Sequence, residues 1–86
     1  MACRIYAPTY TYNNNGTVTM SSVYDDSTCN SAVRVRYYIG LSTLIGTGDS
    51  ATLTLTQKST FITAVLESYG GQWYSQASNS CGYSGS

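Results

Sequence analysis

The sequence predicts an all-β fold, a small antiparallel β-sandwich or barrel of roughly five to six strands. Three observations carry that expectation. Polar residues alternate with apolar, aromatic or β-branched ones over much of the chain, the period of a strand with two unlike faces. Gly and Asn clusters interrupt these runs about every eight to twelve residues, the spacing of turns in small sheet proteins. With 86 residues, there is room for a single domain, 1–86, and no convincing internal repeat or linker divides it.

The first element is a hairpin around "YTYNNNGTVTM", Tyr10 to Met20. Asn and Gly suit its turn because they tolerate positive φ. If Tyr12 pairs with Thr17 around the loop Asn13–Gly16, Tyr6, Pro8, Tyr10 and Tyr12 share a face with Thr17, Thr19, Ser21 and Val23. Ile5, Ala7, Thr9 and Thr11 then lie with Val18, Met20, Ser22 and Tyr24. Pro8 has no N–H to give a neighbour, so this strand is expected at a sheet edge. In the same register Cys3 falls opposite Asp26, close to Cys29.

"AVRVRYYIGL" follows as the cleanest strand, with Val33, Val35, Tyr37 and Ile39 on one side and Arg34, Arg36 and Tyr38 on the other. "STLIGTGDS" reads as a loop with Leu44 and Ile45 tucked back. "ATLTLTQK" alternates again, with Ala51, Leu53 and Leu55 inward and Thr52, Thr54, Thr56 and Lys58 outward. Periodicity alone leaves "STFITAVLESY" open between helix and strand; its Thr, Ile, Val and Phe favour strand. A last short strand is expected around Trp73 to Ala77, then a loose Gly/Ser-rich tail from about residue 78.

Charge and chemistry narrow the function classes. Charged residues make up 9% of the chain and the formal net charge is zero, far from the roughly 25% charged residues of ordinary soluble domains. A basic footprint for nucleic acid is absent. No apolar run approaches the roughly 20 residues that cross a bilayer, so neither nucleic acid nor membrane insertion is expected. Such a neutral surface repels its own copies weakly.

Histidine is absent, which removes the commonest general base and the commonest metal ligand. The carboxylates Asp25, Asp26, Asp49 and Glu67 show no spacing for acid–base work, "DDSTCN" lacks the pattern of a calcium loop, and "GTGDS" lacks the Lys and helix of a phosphate cradle. We expect no enzyme activity, no metal and no cofactor. Asn15–Gly16–Thr17 matches a glycosylation acceptor, a pattern with meaning only in a secreted eukaryotic chain. The cysteines Cys3, Cys29 and Cys81 suit one bridge and one spare thiol, with Cys3–Cys29 and Cys29–Cys81 as the rival pairings and three buried thiols as the third possibility.

Tyrosine is the most abundant aromatic, at 9 residues. Tyr6, Tyr10 and Tyr12 form a row on the first hairpin in the register above, Tyr38 sits beside Arg34 and Arg36, and Trp73 and Tyr74 lie among Gln72, Gln76 and Asn79. These six aromatic residues are the candidate contacts, whether with another chain or with a ligand. The expectation is a non-enzymatic, self-associating structural subunit of an extracellular filament, appendage or virion surface. It would assemble through strand edges and tyrosine-rich faces, with the odd cysteine available to link chains. The alternative is a small secreted module that binds carbohydrate by Tyr and Trp stacking. No apolar segment follows Arg4, so no signal peptide is visible, and an extracellular or particle-surface location would be reached by another route.

Overall fold

Alternation of side chains divides the backbone into strands wherever one face can be buried and the other left to water. The computed structural model describes residues 3–13, 15–40, 43–54 and 61–82, and these contain strands without any helix. In chain order they are β1 (Arg4–Ile5), β2 (Thr9–Tyr12), β3 (Thr17–Ser21), β4 (Tyr24–Asp25), β5 (Val33–Ile39), β6 (Thr43–Thr47), β7 (Ser50–Thr54), β8 (Phe61–Tyr69) and β9 (Trp73–Gly82). Every pairing is antiparallel, in ladders ordered β1–β4, β2–β3–β7 and β6–β5–β8–β9.

The inner faces of these ladders share a core. Val18, Met20, Ala51 and Leu53 come from the three-stranded sheet, Val35, Tyr37, Ile62, Ala64 and Leu66 from the four-stranded one, and Ile5 from β1. Burying each large apolar side chain contributes about 1.5–3 kcal/mol relative to exposure. The all-β antiparallel class is therefore as expected, and "FITAVLESY" is strand. The segments outnumber the expected strands for two reasons: the first hairpin is split, and residues 43–47 pair instead of looping.

The split lies at Pro8. Ile5 pairs with Tyr24 and Thr9 with Ser21, so Tyr6, Ala7 and Pro8 stand against only Ser22 and Val23. One strand carries an extra residue there, and the register shifts by one across it. The open end keeps the expected register, with Arg4 opposite Asp25. Toward the turn Tyr12 pairs with Val18 instead of Thr17. A one-residue slip exchanges faces, so Tyr10 and Tyr12 lie with the buried Val18 and Met20, not with Thr17 and Thr19. The turn accommodates the shift through the Asn13 N–H, which donates to the Thr17 carbonyl at 2.8 Å, and the Asn13 amide, which donates to the Thr17 and Thr19 hydroxyls. As expected, β2 is an edge among the described residues.

Two more expectations need correction. Residues 43–47 form β6, paired with β5. Tyr37 opposes Gly46 and Tyr38 opposes Leu44, leaving Ile45 as the extra residue. Ile45 does pack against the core, whereas Leu44 is 43% exposed. Gly46 sits in a tight spot beside β7, because a Cβ there would lie 3.3 Å from the Ala51 Cβ and one of the two would have to shift by a few tenths of an ångström. The second correction concerns the C-terminal stretch: 78–82 continue β9 rather than forming a tail. The expected inward Leu55 and outward Thr56 and Lys58 lie outside the described residues.

Candidate functional site

The four-stranded sheet presents its outer face and one long edge, and the β8–β9 turn organises both. The Gly70 N–H donates to the Gln72 carbonyl at 2.9 Å, and Gly71 has φ +84°, a conformation that strains any L side chain. This tight reversal sets Trp73 opposite Tyr69. Their rings meet edge to face with centroids 5.3 Å apart, an arrangement that the ring quadrupoles favour.

Across the next rung, Arg34 of β5 opposes Glu67 of β8. The Arg34 Nε donates to Glu67 Oε1 at 2.6 Å, and its guanidinium carbon lies 4.3 Å from the centre of the Trp73 ring. Glu67 is only 8% exposed, so this charge-assisted bond compensates a carboxylate removed from water. Trp73, Tyr69, Arg34 and Glu67 thus form one patch, with one Trp73 face covered by the guanidinium. Farther along β5, Arg36 and Tyr38 share this face, and among the described residues the buried Arg36 Nε has no hydrogen-bond partner. Thr63, opposite Tyr38, donates to the Gly40 carbonyl.

The outermost strand is β9, and among the described residues no strand pairs with its far side. It carries neither a charged residue nor a proline over Trp73–Gly82. Relative to Trp73, Tyr74 points to the other face and is 48% exposed. Ala77 and Cys81 turn inward against the core, and the Asn79 amide reaches back to the Ile5 carbonyl of β1 at 3.4 Å. Cys81 is a free, partly buried thiol whose burial raises its pKa.

The remaining candidate aromatic residues separate. Tyr6 is outward, next to the buried Ile5, and its hydroxyl accepts a hydrogen bond from Arg4 at 2.8 Å. Tyr10 and Tyr12 meet edge to face at 5.6 Å, with Tyr10 packed against the core. The expected row of three is therefore broken by the extra residue at Pro8. Cys3 and Cys29 form the disulfide that closes the open end of the hairpin, which removes Cys29–Cys81 as a pairing. An intrachain disulfide is compatible with an extracellular location.

The carboxylates are dispersed. Asp25 Oδ1 accepts from the Ser27 hydroxyl at 2.7 Å and from its N–H at 3.0 Å, and these bonds lower the Asp25 pKa. Among the described residues no cluster of His, Cys, Asp and Glu could hold a metal ion. No helix there is long and apolar enough to cross a membrane. Reading the sequence alone brought out Trp73 and Arg34 but not their joining by Glu67 and Tyr69. The available signal was an acidic residue inside an apolar run, "AVLESY", which needs a cation from a neighbouring strand. Comparison with family models, with curated proteins and with solved structures found no match for the chain.

Proposed function

We propose that this protein is a non-enzymatic structural subunit that associates with copies of itself through the open edges of its sheets, β9 foremost. One observation carries this reading: a ten-residue edge strand bears none of the charge or proline that keeps natural edges from pairing. Its bulge at Gln76, between the Ala77 and Ser75 rungs, is the one protective device it carries, and residues 77–82 run on without interruption. By contrast, β2 spans four residues and follows Pro8. The neutral chain adds little repulsion to self-contact.

The energetics set the scale. Strand addition over six residues would form about six main-chain hydrogen bonds, each contributing about 1 kcal/mol net. The loss of free tumbling costs at least about 4 kcal/mol, so pairing alone gives weak association. Burial of Trp73 and Tyr74 would strengthen it. A thiol cross-link is not needed, and Cys81, turned toward the core, is poorly placed for one.

Sedimentation velocity over a wide concentration range tests this reading. The expected result is a reversible rise in mass above the 9.3 kDa monomer, unchanged in Cys81→Ser. A persistent monomer at millimolar concentration would overturn it. No observation favours the carbohydrate reading to the same degree, since Arg34 already covers one face of Trp73.

A further inference from the structure

We propose, building on self-association through β9, that the partner strand is β9 of a second copy, laid antiparallel about a two-fold axis near Ser78. The two four-stranded sheets then join into one continuous sheet, and the assembly closes as a dimer.

Shape is the first argument. One end of β9 is bulky, with Trp73 and Tyr74, and the other is small, with Ser78, Ser80 and Gly82. Antiparallel pairing about Ser78 sets each Tyr74 beside the partner's Gly82, twice over. Parallel pairing would set ring against ring and leave the small ends in loose contact. Charge is the second argument. A two-fold axis brings each residue near it close to its own copy, so any charge there would meet its like. None stands on β9, and the nearest ionic pair, Arg34 with Glu67, is internally neutralised.

The other edges fit less well. Across the sheet, β6 is five residues long and turns at the Gly46–Ala51 contact into β7, so a neighbouring segment of its own chain crowds that side. In the three-stranded sheet the β2 edge is four residues long and the β7 edge five, half the length of β9 or less. An isologous contact on β9 uses up the same surface on both copies, which stops growth at two unless a different edge is recruited.

The test places a nitroxide at Ser78→Cys in a Cys81→Ser background with the Cys3–Cys29 bridge intact. Neighbouring strands lie about 4.8 Å apart, so the label should show strong dipolar broadening at concentrations where the mass doubles. A label at Thr11→Cys on β2 should show none. In parallel, Ser78→Lys sets two ammonium groups beside the axis and should raise the dimer dissociation constant at least tenfold, while far-UV circular dichroism of the monomer stays unchanged. Association with no broadening at Ser78, or with growth past the dimer that Ser78→Lys does not weaken, overturns the two-fold pairing and leaves self-association standing. A chain that stays monomeric under all conditions overturns both. Should Ser78→Lys fail to fold, the paired label measurements decide alone.

Discussion

The two longest hairpins in this chain begin from similar material and end differently. Both are rich in tyrosine and hydroxyl side chains and both turn at glycine. The first, β1–β2 with β3–β4, takes up an extra residue at Tyr6–Pro8, changes register and passes from one ladder to another. The second, β8–β9, also carries one extra residue, at Gln76, yet stays in one sheet along its length. The difference lies in what holds each. A disulfide and the buried Ile5 fix the far end of the first, so its two halves can serve different layers. The second is held rung by rung, with the Arg34–Glu67 pair and the Trp73 ring closing its outer face.

Removing the staple should therefore separate the two regions most clearly. Cys3 and Cys29 are 26 residues apart, and closing a loop of that size restricts the unfolded chain by about 3.5 kcal/mol at 25 °C. The double variant Cys3→Ser, Cys29→Ser should lose about that much in urea denaturation. Hydrogen exchange should show β1 and β4 opening while β5, β8 and β9 stay protected. Uniform loss of protection across both hairpins would mean that they do not differ in this way.

A change confined to the second hairpin follows in size. Arg34→Ala leaves the buried Glu67 carboxylate unpaired, and should cost about 3 kcal/mol. Replacing both residues with Met should cost much less than the sum of the single changes, because no buried charge is then left alone. Additive losses in a double-mutant cycle would mean that the pair is not coupled.

The smallest effect lies at the joint between the layers. The fully buried Tyr37 donates its hydroxyl to the Asp49 carbonyl at the β6–β7 corner at 3.0 Å. Burial raises its pKa above the usual 10.0. The neutral phenol is the form that the fold favours, so its contribution is complete below pH 10.0 and declines as pH climbs through the higher folded-state value. Tyr37→Phe should cost about 1 kcal/mol at neutral pH. It should also flatten the alkaline fall in denaturation midpoints; an equal fall in both proteins would assign that fall to other groups.

Much of this was legible in the residues, though unevenly. Strict alternation in "AVRVRYYIGL" marked β5 and its inward Val35 and Tyr37, and the same rule found Ala51 and Leu53 on β7. The rule fails for β9, where Ser, Gln and Asn occupy most positions and the inward Ala77 and Cys81 are small. A strand built there is recruited by its long partner β8, not announced by its own pattern. The register of the first hairpin was legible at the disulfide end and displaced at the turn, because a local bulge at Pro8 leaves no trace in period-two counting. The tyrosine row depended on that register and was lost with it. At the outer-face patch, Arg34 and Trp73 could be singled out, but their meeting depends on which strand lies beside which, information spread over Val33–Ser68 and Tyr69–Trp73 pairings that no short stretch contains.

The bond from Asn79 to the Ile5 carbonyl spans 74 positions of sequence. Pairings that distant must overcome a large closure entropy before they return any contact energy, and they place β proteins among the slower two-state folders, in milliseconds to seconds. During synthesis Ile5 can meet Tyr24 of its own hairpin early, but its bond with Asn79 must wait until β9 has left the ribosome. Chaperone dependence and the temperature of expression would then matter more for this chain than its size suggests.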